Sequence, residues 1–119
     1  MRLTRLTPLE LSTALDRVAA GEAARAELGG LTKHLLALLV DKAPGGGVEV
    51  RIPPYAVAQC VTGSRHTRGT PPAVVEMDAA TWIALGSGRL SWRDAVAAGR
   101  VSASGERSDL SALLPLLPC

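Results

Sequence analysis

The run Pro44-Gly45-Gly46-Gly47 divides the chain into two kinds of sequence, and this division constrains the fold more than any other feature. Before the run, apolar residues recur at the three- and four-residue spacing of a helix. Directly after it, Val48–Ile52 alternates strictly between apolar and charged residues, which is typical of a half-buried strand. The order of helices, then strands, then helices with a late strand predicts an α+β fold with helices on one face of a sheet.

The first part of the chain predicts two helical segments. Thr7-Pro8-Leu9-Glu10 has the pattern of a capping box with proline at the first helical position, and Gly21 can end this helix. A second helical stretch covers residues 22–42. The pair Gly29-Gly30 weakens its middle by about 1 kcal/mol per glycine relative to alanine. The stretch is therefore either one long helix or two shorter helices, of which 31–42 has the stronger pattern.

The second part predicts three further strands and two short helices. The strands cover 55–61, 73–77 and 101–104. Asp78 and Ser91 are predicted N-caps for helices over 79–85 and up to residue 98, and glycines end both. Leucines recur at helical spacing over 110–117, but Pro115 restricts a helix there and favours an extended tail.

Length and composition predict a single domain over 1–119, with a helical extension at 1–30 and a core at 31–117. A net charge of +2 and an aromatic content of 3% argue against a nucleic-acid partner, which needs clustered cations or stacking surfaces. The longest unbroken aliphatic run, 35–40, is too short to span a bilayer. We therefore expect a soluble, cytoplasmic protein without an integral membrane segment.

No group of residues has the pattern of a metal site or a catalytic site. Cys60 and Cys119 lack the spacing of zinc ligands, so neither a metal nor another cofactor is expected. His34 and His66 have no nucleophile or carboxylate partner in a recognisable order. The carboxylates fall at strand edges and helix starts, where capping and solvation explain them. The sequence therefore predicts a protein that is not an enzyme.

Two features of the sequence are compatible with a ligand. One face of strand 55–61 carries only the small residues Ala56, Ala58 and Cys60. This face either packs closely against a leucine-rich helix or borders an apolar pocket. The polar loop at 64–72 contains Arg65, His66 and Arg68, which could bind a carboxylate, a phosphate or a lipid head group. A solvated loop without a ligand is the alternative.

One passage of the sequence resembles the sterol carrier protein family. In it, a strand leads to a helix that starts at an aspartate and contains an aromatic residue and a leucine, and a further helix leads to a glycine-bounded strand. The residues that carry the resemblance are Val74, Val75, Glu76, Met77, Asp78, Trp82, Leu85, Gly88, Ala95, Gly99, Val101 and Gly105, with Leu110, Leu113 and Leu114 beyond. The segments 65–72 and 102–107 look typical of its actinobacterial branch of bacterial orthologues.

The resemblance covers about 31–117 and implies an antiparallel sheet of about five strands, covered on one face by helices. It also implies non-catalytic binding of a fatty acid, acyl-CoA or another lipid in an apolar tunnel between the sheet and the helices. By position, the tunnel residues would be Leu35, Leu39, Val57, Val75, Trp82, Leu85 and Leu113. The absence of phenylalanine favours an acyl chain over a sterol.

A second function stays open. The same fold resembles the small domain attached to thiol-dependent maleylpyruvate isomerases, where it supports an enzyme. On this interpretation the chain is an accessory or interaction domain without lipid, and the loop that contains Arg65 and Arg68 contacts a partner or an anionic group.

Overall fold

A computed structural model describes residues 3–63 and 73–118 of the chain. In chain order, the elements are α1 (Pro8–Ala19), α2 (Arg25–Lys42), β1 (Val48–Ile52), β2 (Ala56–Cys60), β3 (Ala73–Glu76), α3 (Ala79–Gly86), α4 (Trp92–Ala97), β4 (Ser102–Ser104) and a 3-10 helix at Ser111–Leu113. This arrangement confirms the predicted α+β class. No helix within the described ranges is long and apolar enough to cross a membrane.

The sheet has the strand order β2-β1-β3-β4. β1 pairs antiparallel with β2 and β3 pairs antiparallel with β4, but β1 and β3 are parallel. Within the described residues the sheet therefore has four strands, as the residue patterns predict, and it is mixed, whereas the family resemblance implied about five antiparallel strands. The parallel pair arises at the start of β1, because Val48 lies opposite both Cys60, where β2 ends, and Ala73, where β3 begins.

The helix starts follow the sequence prediction closely. The side chain of Thr7 accepts a hydrogen bond from the backbone N–H of Glu10, and the carboxylate of Glu10 accepts one from the N–H of Thr7. Asp78 accepts from the N–H of Thr81 at 2.8 Å, and Ser91 accepts from that of Asp94 at 3.1 Å. These bonds satisfy backbone donors that have no partner within the helix itself.

α2 is one continuous helix, in spite of the two glycines in its middle. A Cβ atom on Gly29 would lie 3.1 Å from the ring of Tyr55, and one on Gly30 would lie 3.5 Å from Leu6. Gly29 thus allows the connection between β1 and β2 to approach the helix closely, whereas the contact at Gly30 is an ordinary one. α2 is buried on several sides because it contacts α1, α3 and β2.

The hydrophobic core lies between the inner face of the sheet and the helices. Ala56, Ala58 and Cys60 point into it, with at most 8% of each residue exposed. Because α2 packs against β2, the space above these small side chains is occupied by the helix. Of the two interpretations of this small face, the structure shows close helix packing.

The C-terminal segment contains only one short turn of 3-10 helix, at Ser111–Leu113. Beyond Pro115, the backbone N–H groups of Leu116 and Leu117 donate to the carbonyl oxygen of Gly86, at 2.9 and 3.1 Å. The predicted effect of Pro115 is confirmed: the leucines beyond it lie outside any helix and dock against the end of α3.

Candidate functional site

Most of the residues predicted to line a tunnel lie together in the core between the sheet and the helices. They share almost complete burial: Leu35, Leu39, Val75 and Trp82 are 0% exposed and Leu85 is 1% exposed. A Cβ atom on Gly86 would lie 2.9 Å from Leu35, so α2 and α3 approach each other closely here. This part of the core is filled by protein side chains.

The other predicted tunnel residues are elsewhere. Val57 lies on the outer face of the sheet, is 45% exposed and borders a shallow cavity of about 240 Å³ near Pro53 and Pro54. Leu113 is half-buried and lines a groove at the C-terminal end of α2. The predicted anion-binding residues Arg65, His66 and Arg68 lie outside the described residues.

Trp82 connects α3 to α2 by a polar contact inside the core. Its indole Nε1–H donates to the carbonyl oxygen of Thr32 at 3.2 Å. The hydroxyl of Thr32 is buried and has no hydrogen-bond partner among the described residues. Thr81, the residue before Trp82, is also buried, and its hydroxyl accepts a hydrogen bond from the guanidinium of Arg100 at 3.1 Å.

A larger apolar cavity lies between the first two helices, and we call it the α1–α2 cleft. Its volume is about 440 Å³, and its lining residues are Leu6, Leu9, Glu10, Thr13, Ala14, Ala26, Glu27 and Gly30. Leu9 is 77% exposed and forms part of the apolar lining on the α1 side. Ala26 has a small side chain and Gly30 has none, which leaves the cleft open on the α2 side.

The polar residues of the α1–α2 cleft are fixed by local hydrogen bonds. The bonds from the backbone and hydroxyl of Thr7 hold the pKa of Glu10 below its usual value. The bond from the N–H of Ala24, followed by that from Arg17, lowers the pKa of Glu27. Both carboxylates are therefore ionised at neutral pH and already engaged, which leaves the apolar surface as the distinctive part of the cleft.

No sequence pattern predicted this cleft, and all its lining residues lie in the segment 1–30 that was expected to be a helical extension. The available signal was Leu9. It lies on α1 but does not follow the helical spacing of Leu11 and Leu15, which face the core. A single leucine off the apolar face is common in surface helices, so the signal is weak without the facing small residues of α2.

α1 and the segment before it are held against α2 by a few polar contacts along the length of α2. Arg17 pairs with Glu27 at 2.7 Å, and Arg5 pairs with Asp41. The backbone N–H of Leu6 donates to Nδ1 of the buried His34 at 2.9 Å. Because Nδ1 is the acceptor, this contact exists only while the imidazole is neutral.

We expect the stability of the protein to fall as the pH drops below about 6.5, the ordinary pKa of histidine. Burial, and then the charge of Arg5, lower the pKa of His34 in the folded protein. A lowered folded-state pKa means that the unfolded chain binds the proton more readily, so stability is complete above the unfolded-state pKa and declines below it. The slope reaches at most about 1.4 kcal/mol per pH unit for one proton.

Urea unfolding measured between pH 5 and pH 8 checks this expectation. His34→Gln should remove the slope, whereas His66→Gln should retain it, which separates the two histidines of the chain. An equal slope in wild type and His34→Gln would contradict the role of His34.

The remaining reactive groups do not form a catalytic arrangement within the described ranges. Burial raises the pKa of the Cys60 thiol to about 11, so the thiol is protonated at neutral pH and is a poor nucleophile. No group of three or more histidine, cysteine, aspartate or glutamate side chains in residues 3–63 and 73–118 is placed to hold a metal ion.

Comparison with known families gives one clear match. The family model described as a bacterial SCP ortholog matches residues 24–116, which is most of the chain. The chain belongs to this family. The match confirms the family resemblance inferred from the passage around Asp78 and Trp82. A search of curated proteins finds no match.

The family match covers every helix and strand of the described structure except α1. All of α2, the sheet and the later helices fall within the SCP-ortholog match, whereas α1 at Pro8–Ala19 precedes it. The α1–α2 cleft therefore lies where a helix outside the matched region packs on the first helix inside it.

Proposed function

We propose that this SCP-family protein binds a hydrophobic ligand without chemically changing it, and that the ligand is an acyl chain. Membership of the family supports binding of a lipid-like molecule. The observation that carries the proposal is the α1–α2 cleft, because its volume of about 440 Å³ lies within the usual range of ligand pockets. Each CH₂ group that it removes from water contributes about 0.8 kcal/mol, so affinity requires no specific polar contact.

The location in the cleft has an alternative. The predicted tunnel residues Leu35, Leu39, Val75, Trp82 and Leu85 would line a site between the sheet and the helices, but a ligand there requires the two layers to separate. The fluorescence of Trp82 reports on such a separation, since its side chain is fully buried in the core. In a Trp92→Phe background, a ligand between the layers changes the emission of Trp82, whereas a ligand in the cleft leaves it unchanged.

Filling the cleft is expected to weaken binding. Ala26 is exposed on α2 and lines the cleft, so Ala26→Trp places a large side chain where the ligand would lie. We expect a fluorescent fatty acid to bind this variant about tenfold more weakly, which corresponds to the loss of roughly two buried CH₂ groups. Titration at micromolar concentration measures the change.

Ala97→Trp is the matched control, because Ala97 is exposed on α4 and lies outside the cleft. Its affinity should equal that of wild type. Equal affinity in Ala26→Trp and wild type would contradict a site in the cleft, and mass spectrometry of natively purified protein then shows whether any lipid is bound at all.

The dense packing around Trp82 favours one second candidate, an accessory or interaction domain that carries no lipid. A solid core between the layers is what a supporting domain requires. Failure of the wild-type protein to bind any fatty acid at micromolar concentration would support this candidate over lipid binding. The loop that contains Arg65 and Arg68 would then be the first surface to test for a partner.

A further inference from the structure

A second concave surface lies at the opposite end of α2 from the cleft, and we call it the Lys42–Arg107 groove. Its volume is about 550 Å³, and it is lined by Lys42, Ala43, Pro44, Val61, Thr62, Arg107, Asp109 and Leu113. These residues come from the end of α2, the segment after β2 and the segment after β4. The groove thus combines an apolar surface with charged side chains from the end of α2 and from the segment after β4.

The floor of the groove is held in place by two crossing loops. The N–H of Val61 donates to the carbonyl oxygen of Ala43 at 2.7 Å, and the N–H of Gly47 donates to that of Val61 at 2.8 Å. A Cβ atom on Gly47 would lie only 2.6 Å from Cα of Gly63, so the two backbones are in direct contact. Such a floor is arranged before any ligand arrives.

Two lining residues have a strained backbone. Val61 and Arg107 both have a φ of 63°, in the left-handed region that side chains rarely adopt, and they are the non-glycine residues of the described chain that do so. For a β-branched residue such as Val61 this conformation is a genuine outlier. Strain of this kind persists where the surroundings impose it, and it is concentrated at ligand sites.

The charges of the groove favour an anion. Lys42 donates to the carbonyl oxygen of Leu113 at 2.9 Å, and Arg107 donates to that of Thr62. Each cation has further N–H donors beyond these bonds, because an ammonium has three and a guanidinium five. Asp109 is the one carboxylate in the lining, and its hydrogen bonds with Ser111 lower its pKa. Two cations against one anion leave the groove with a positive balance.

We propose that the Lys42–Arg107 groove binds the anionic group of an amphiphile, a carboxylate or a phosphate, between its two cations. The attached alkyl chain lies against Val61 and Leu113. The site is independent of the α1–α2 cleft, since the two share no lining residue. It therefore adds a head-group specificity that burial of an acyl chain alone does not provide.

Octyl phosphate and octanoate are the probes, with the uncharged octyl glucoside and inorganic phosphate for comparison. The calorimetric titrations use Ala26→Trp, because the cleft of the wild-type protein also accepts an octyl chain. We expect both anionic amphiphiles to bind this variant more tightly than either comparison compound. In ¹⁵N-resolved NMR spectra of the wild-type protein, they should shift the amide signals of Val61, Thr62 and Leu113. Equal binding of octyl glucoside would overturn the role of the charges. Equal binding of inorganic phosphate would overturn the amphiphile, because it would show that the groove binds a free anion and that the alkyl chain adds nothing.

The combined variant Lys42→Gln/Arg107→Gln should bind octyl phosphate about tenfold more weakly, through loss of two charge-assisted hydrogen bonds. Arg89→Gln/Arg93→Gln is the matched control, because it makes the same change in net charge at exposed residues outside the groove. Equal losses in the two variants would overturn the proposal by showing a general charge effect. In Ala26→Trp the shifts of the Val61, Thr62 and Leu113 amide signals should persist, which separates this test from that of the cleft. If the combined variant does not fold, the NMR shifts in the wild-type protein decide the location.

Discussion

Replacing Trp82 by alanine is expected to lower the free energy of unfolding by about 3–5 kcal/mol, the range for large aromatic residues in cores. Trp82 is fully buried and is the largest of the completely buried side chains. Its removal deletes apolar contacts with both layers and also the hydrogen bond from its Nε1–H to the carbonyl oxygen of Thr32. The surrounding helices and strands can relax only partly, so a cavity remains.

The same variant tests how the core relates to ligand binding. The cavity left by this change is mostly apolar, and a cavity of this kind can bind a small apolar molecule such as benzene. We expect benzene to raise the melting temperature of Trp82→Ala and to leave that of the wild-type protein unchanged. Urea unfolding gives the loss of stability, and thermal unfolding with and without benzene gives the binding effect.

Trp82→Phe is the control for this prediction, because it keeps an aromatic ring in the core but removes the indole N–H. It should lose less stability than Trp82→Ala and should not respond to benzene. A change of less than about 1 kcal/mol in Trp82→Ala would contradict the packed core. A melting temperature of the wild type that rises with benzene would show that a hollow already exists between the layers.

Replacing Gly47 by alanine is expected to destabilise the protein by about 3 kcal/mol, the upper part of the range for overpacking. The added Cβ atom would lie 2.6 Å from Cα and 2.7 Å from the backbone nitrogen of Gly63. A backbone cannot rotate away from such a contact as a side chain could, so the crossing loops must separate. That movement would also strain the bond from the N–H of Gly47 to the carbonyl oxygen of Val61.

Gly46→Ala is the matched control one residue away. Among residues 3–63 and 73–118, a Cβ atom there would meet the end of the Gln59 side chain at 3.5 Å, which is an ordinary contact. We expect its stability to stay within about 0.5 kcal/mol of wild type in urea unfolding. Equal stability of Gly47→Ala and Gly46→Ala would show that the loops at 43–47 and 61–63 are not in direct contact.

The pair Gly29-Gly30 illustrates what local patterns can and cannot predict. Gly29 and Gly30 were expected to weaken α2, on the basis of propensity alone. In the structure they lie in an unbroken helix, where the missing side chain of Gly29 makes room for the ring of Tyr55 and Gly30 faces Leu6. Those contacts join residues far apart in sequence, and propensity contains no information about them.

The candidate sites show the same division. The burial of Leu35 and Trp82 could be predicted from the apolar pattern of their helices. That pattern does not show whether the side chains leave a cavity between them. Val57 was assigned to the tunnel from its position in the resemblance, and the structure places it on the outer face because β2 directs its small residues inward. The α1–α2 cleft was missed, since it depends on the packing of two helices.

Local sequence was sufficient to predict the elements whose causes are local. Each depends on residues within a few positions of one another, as in the capping box at Thr7, the alternation of Val48–Ile52, the N-caps at Asp78 and Ser91 and the effect of Pro115. The parallel pairing of β1 with β3, by contrast, became apparent only in the folded chain, as did the continuity of α2 and the shapes of the cleft and the groove. These features depend on distances between segments remote in the chain, and a concave surface exists only once those segments have packed.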